Sequence, residues 1–151
     1  MTEDIPLDQC KAFIHENYVN KLLMFLRGES NRVTTNVEYM KVYQLIIYQC
    51  DTNDNNDQIY EIFEEFVKEY LLGEVVPLLE GKRGEPLLSN LVSAWEAYII
   101  YSKMMDRSFE YLNRYYLKNN QLQLVGEKCM SMFQEKIFAS RKVDITAAIL
   151  D

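Results

Sequence analysis

Residues 87–117 read LLSNLVSAWEAYIIYSKMMDRSFEYLNRYYL. Thirty-one residues pass without a glycine or proline. Those are the two strongest helix breakers, so the stretch is predicted to be helical. Leu87, Leu91, Trp95, Tyr98, Met105, Phe109, Leu112 and Tyr116 fall mostly three or four apart, which marks one face of a helix. A second set, Tyr101, Met104, Tyr111 and Tyr115, widens the apolar arc. A helix that is apolar on more than one face is central in a bundle or lends one face to a partner. The period shifts between Ser102 and Ser108, so a bend or split is expected there.

The same helical period recurs on both sides of this stretch. Leu7, Cys10, Ile14, Tyr18, Leu22 and Phe25 make a first helix, with Pro6 at its entry and Gly28 at its exit. Thr35 and Glu38 have the spacing of a capping box and open a second helix over about Asn36 to Cys50. This helix is apolar almost all round. Val42, Leu45 and Gln49 share one side, and Tyr39, Tyr43, Ile46 and Ile47 share another. Two stripes on a short helix mean a central position or a partner-facing surface. A third helix is predicted from Ile59 to about Glu80, with Glu64 and Lys68 paired on its wet side and a bend at Gly73 and Pro77. A last pattern runs from about Leu122 to Ala139, and residues 144–151 begin another helix. The fold expected is therefore all-α.

Composition limits the function. The chain has 151 residues, enough for one domain, and 48% hydrophobic residues, enough for a sizeable core. A net charge of −7 disfavours nucleic acid and anionic membranes. No apolar run reaches the roughly 18 residues of a spanning helix, and no signal peptide is expected. Cys10, Cys50 and Cys129 are odd in number and far apart, and read as free thiols of a reducing compartment.

No catalytic or metal-binding constellation is legible. His15 is the only histidine and lacks the Glu-x-x-His or His-Glu-x-x-His spacing of di-iron and zinc sites. Residues 51–57, DTNDNND, imitate a calcium loop at Asp51, Asn53 and Asn55. They fail at Asn56, where the loop needs glycine, and at Ile62, where it needs glutamate. Gly81-Lys82 lacks the Ser or Thr and the preceding strand of a phosphate loop. No cofactor is expected. The eleven tyrosines remain, and an apolar body with a polar tip suits interfaces as well as core edges. Two readings follow from the residues alone. One is a helical interaction module. The other is a free-standing bundle that binds a small apolar ligand among tyrosines and methionines, or binds another protein.

Two stretches resemble the N-terminal region of cullins, the scaffolds of multi-subunit ubiquitin ligases. Residues 39–50, YMKVYQLIIYQC, are similar to that family's second helix, with its Tyr-Met-x-aliphatic-Tyr pattern. Trp95-Glu96-Ala97-Tyr98 and Tyr111-Leu112-Asn113-Arg114-Tyr115-Tyr116 are similar to its Trp-x-x-Tyr/His and Tyr-Leu-Asp/Asn-Arg-aromatic-aromatic elements. Ile59-Tyr60 and Phe133 also fit. The chain departs from the family in a short connection between the second and third helices, a short segment before the first, and a last helix that matches only loosely.

The resemblance implies a five-helix bundle, the first of three cullin repeats, with residues 1–151 as its adaptor-binding end. It implies a non-catalytic scaffold that docks an adaptor of BTB/POZ-like fold carrying a substrate receptor. The wording is most similar to cullins that take a Skp-type adaptor and F-box receptors, although elongin-type and BTB-type partners dock on similar faces. Carried over by motif, the adaptor-binding residues are Tyr39, Met40, Tyr43, Ile46, Ile47, Tyr111, Arg114 and Tyr115. A RING protein would bind a C-terminal part expected in a longer chain, and the expected location is cytoplasm and nucleus.

Overall fold

The computed structural model describes residues 5–150. They form six helices and, among the described residues, no strand. Helix α1 runs over residues 7–26, α2 over 36–52, α3 over 56–79, α4 over Gly84–Ser108, α5 over 110–117 and α6 over 125–150. The all-α reading holds. The count is six rather than five because the stretch quoted first divides at Phe109.

The division coincides with side-chain hydrogen bonds at the end of α4, two of them from other helices. The Met104 carbonyl accepts from the Tyr18 hydroxyl at 3.0 Å and from the Ser108 hydroxyl at 2.9 Å. The Arg107 carbonyl accepts from the Tyr39 hydroxyl at 3.4 Å. Hydroxyls from α1 and α2 thus engage the last carbonyls of α4, and a side-chain bond back to a carbonyl four residues earlier favours a bend. Phe109 leaves helical geometry at φ −101°, ψ 22° and buries its ring 5.6 Å from Phe63.

The caps follow the sequence closely. Gly28, at φ 79°, ends α1. Its N–H bonds to the Phe25 carbonyl and that of Glu29 to the Met24 carbonyl, the paired bonds of a Schellman stop. Thr35 Oγ1 accepts the Glu38 N–H at 3.1 Å, and Glu38 Oε1 accepts the Thr35 N–H at 3.1 Å, so the predicted capping box opens α2.

In α3, Val76 N–H reaches the Leu71 carbonyl, five residues back. This wide turn precedes Pro77, whose ring cannot continue a regular ladder. The polar connection is shorter than predicted. Asp51 and Thr52 still belong to α2, and Asn56 already belongs to α3. Glu64 also differs from expectation. Its carboxylate meets Lys128 of α6 at 3.4 Å rather than Lys68.

Helix α4 is the central helix. Leu87, Leu91, Ala94, Tyr98, Tyr101 and Met105 are buried in the core, with Tyr18 of α1, Phe63 and Phe66 of α3, and Phe133 and Ile137 of α6. Tyr70 stacks on Tyr101 with ring centroids 4.1 Å apart, and Tyr98 lies 4.9 Å from Phe133. Trp95, on the same face of the helix, is half-buried and places an edge on Phe133 at 4.9 Å. The three cysteines are buried and free. Burial pushes the thiols of Cys10, Cys50 and Cys129 up to about 11, 12 and 12, so they stay protonated and unreactive.

Candidate interaction face on α2 and α5

Helix α2 divides its apolar residues between two environments. Val42, Leu45, Ile46, Gln49 and Cys50 are buried, while Tyr39, Tyr43 and Ile47 are half-buried beside them. Met40 is 50% exposed and Val37, one turn earlier, is 79% exposed. The second stripe seen in the sequence is therefore real, with one correction. Ile46 is 0% exposed. It lies at i+4 from Val42, on the core side of the boundary. A side chain without exposed surface cannot enter a partner's pocket, so Ile46 supports the face from beneath and is not a contact residue.

Helix α5 supplies the rest. Tyr111 is half-buried, Arg114 is exposed and Tyr115 is 55% exposed. The Tyr111 and Tyr115 rings lie 4.7 Å apart, and the Arg114 guanidinium carbon lies 6.0 Å from the Tyr115 ring centre. The neighbouring Tyr115 side chain, and after it the Glu110 carboxylate, raise the Arg114 guanidinium above its ordinary value.

The two helices are tied edge to edge. Tyr39 stacks near Tyr43 at 6.4 Å and lies tilted to Tyr18 at 6.1 Å, and its hydroxyl bonds to the Arg107 carbonyl. Burial raises the Tyr39 hydroxyl, and the nearby Arg107 charge partly offsets that rise. Tyr111 is raised by burial and then by the nearby carboxylate of Asp51 at the end of α2. Seven of the eight residues picked out by sequence thus lie on one surface, and the eighth lies under it.

Gln49 holds the end of α2 in place. It is buried, and both the nitrogen and the oxygen of its amide are hydrogen-bonded. Its amide donates to the Ile5 carbonyl at 2.9 Å, and its oxygen accepts from Asn55 at 2.9 Å. Asn113, the third residue of Tyr-Leu-Asn-Arg, is also structural. It donates to Asp106 Oδ1 at 2.9 Å and accepts the Val125 N–H at 2.8 Å. Asp106 accepts the Gly126 N–H at 3.1 Å, and Glu127 accepts the Leu124 N–H at 2.9 Å. The first N–H groups of α6 are satisfied by α4, by α5 and by α6 itself. This fixes the angle at which α5 leaves α4.

Two exposed residues of the face escaped the sequence reading. Val37 precedes Met40 by three and was available to a periodicity argument. Arg107 was not, because its position beside Tyr39 depends on α4 meeting α2.

The central tyrosines that would line a cavity pack on one another instead. The cleft of about 390 Å³ between α3 and α6 is lined mainly by Glu61, Glu64, Glu65, Lys68, Lys128 and Lys136. His15 lies 3.6 Å from Glu69 across α1 and α3, with Phe66 alongside. Among the described residues no helix is long and apolar enough to cross a membrane.

Comparison with known proteins agrees with the motifs. Residues 15–151 match the family described as the Cullin alpha solenoid domain. The chain belongs to the cullin family. It is 28% identical to Cullin-1 of Oryza sativa subsp. japonica over 149 residues, which cover 97% of this chain and 20% of that protein. It is 25% identical to Cullin-like protein 3 of Arabidopsis thaliana over 130 residues, covering 86% of this chain and 51% of that protein. Cullin-2 of Arabidopsis thaliana is 25% identical over 117 residues, covering 76% and 16%. The chain thus spans between about a sixth and a half of the length of these cullins. No solved structure matches.

Proposed function

We propose that this chain is the adaptor-docking end of a cullin scaffold in a ubiquitin ligase. The face formed by α2 and α5 would hold a Skp-type adaptor of BTB/POZ-like fold, which carries an F-box substrate receptor. The scaffold does no chemistry itself, and a RING protein would bind elsewhere in a full-length cullin. One observation carries the reading. Tyr39, Tyr43, Ile47, Tyr111 and Tyr115 form a single apolar and aromatic strip that is half open to solvent, although the core beneath it is complete. Rigid, partly exposed aromatics are the usual hot spots of protein interfaces. The free, buried thiols accord with a reducing compartment, cytoplasm or nucleus.

The test is calorimetric titration of this chain with a Skp-type adaptor bound to an F-box segment. Micromolar or tighter binding is expected. Tyr43→Ala should weaken it by at least about tenfold, since truncating such an anchor costs about 2 kcal/mol. Circular dichroism should show the helices intact. No binding by the unaltered chain overturns the Skp-type reading.

A further inference from the structure

The arginines of this chain fall into two groups. Arg27 is paired with Glu74, and Arg83 and Arg141 both reach Asp144. Arg32, Arg107 and Arg114 have no ion pair among the described residues. Arg32 lies in the connection between α1 and α2. The other two border the aromatic strip. Arg107 presents its carbonyl to the Tyr39 hydroxyl, and the Arg114 guanidinium lies against the Tyr115 ring and within electrostatic reach of Tyr43. Both side chains are exposed. In a chain of net charge −7, two exposed guanidinium groups that make no ion pair among the described residues border a strip built mostly of apolar and aromatic groups.

We infer that Arg107 and Arg114 are the charge-reading residues of this face, and that the partner seated on it presents carboxylates to both guanidinium groups. The inference rests on the docking reading above and adds the chemistry of the partner. Guanidinium groups match carboxylates in a two-pronged geometry, and such groups at the edge of an apolar strip set register and association rate. The apolar strip and the overall negative charge exclude nucleic acid as the source of the anion. Glu110 lies between the two arginines in sequence and is within electrostatic reach of Tyr39 and Arg114. It would repel a carboxylate that arrived out of register.

The test uses the adaptor bound to its F-box segment, titrated at low and at high ionic strength. The double variant Arg107→Gln, Arg114→Gln is compared with Arg83→Gln, which removes a charge at the turn leading into α4. Expected at low ionic strength is a loss of at least tenfold in affinity for the double variant, a flatter salt dependence, and no change for Arg83→Gln. Arg114→Glu should weaken binding further than Arg114→Gln, an effect that lost packing would not produce. Wild-type affinity and salt dependence in the double variant, with binding lost in Tyr43→Ala, would overturn the charge inference and leave the docking reading standing. Failure of the unaltered chain to bind overturns both.

Discussion

Tyr98 and Tyr101 lie three residues apart on α4, and both are buried. The Tyr98 hydroxyl donates to the Cys129 carbonyl at 2.6 Å, whereas that of Tyr101 meets no partner among the described residues. Burial raises both hydroxyls far above their ordinary value. Removing a satisfied buried hydroxyl costs about 1 kcal/mol, and removing an unsatisfied one costs nothing or stabilises. Urea denaturation should therefore show Tyr98→Phe less stable by about 1 kcal/mol. Tyr101→Phe should be equal to or above wild type. The sequence placed Tyr98 on the main face and Tyr101 in a second set, yet packing buries both. A period assigns a residue to a side of a helix. It does not say how many sides the neighbours cover.

At the scale of the element, α2 depends on its first turn. The Lys21 ammonium, then the backbone N–H and hydroxyl of Thr35, hold the Glu38 carboxyl down to about 2 from an ordinary 4.5. A carboxyl depressed in the fold stabilises it fully above its unfolded value, and that contribution is lost as pH falls from about 4.5 toward 2. The stability of the wild type should thus fall over this window more steeply than that of Glu38→Gln, as followed by thermal melts at stepped pH. Helix α5 depends on Asn113. Asn113→Ala leaves the Val125 N–H and Asp106 Oδ1 short of a buried partner and should cost about 2 kcal/mol in urea denaturation. Because the lost bonds set the angle of α5, adaptor affinity should fall as well. The capping box was legible in four adjacent residues. The Asn113 network was not, since its other members come from α4 and α6.

At the scale of the molecule, the six helices of the described residues leave a strip of aromatics open while closing the core behind it. The sequence by itself determined the helical class, both ends of α1, the start of α2, and the two stripes of α2. Each of these follows from residues within a turn or two of one another, through period and local hydrogen bonds. The family motifs also lie in continuous stretches, which is why Tyr39, Tyr43, Tyr111 and Arg114 could be named before any fold was known. The shift of period between Ser102 and Ser108 foretold a break in the longest stretch, and the tertiary structure set it at Phe109, where hydroxyls from Tyr18 and Tyr39 reach α4 from 86 and 68 residues away. Only the tertiary structure moved Ile46 from the face into the core and set Arg107 beside Tyr39. Burial and charge pairing are properties of helices packed against each other, and one helix read alone carries neither.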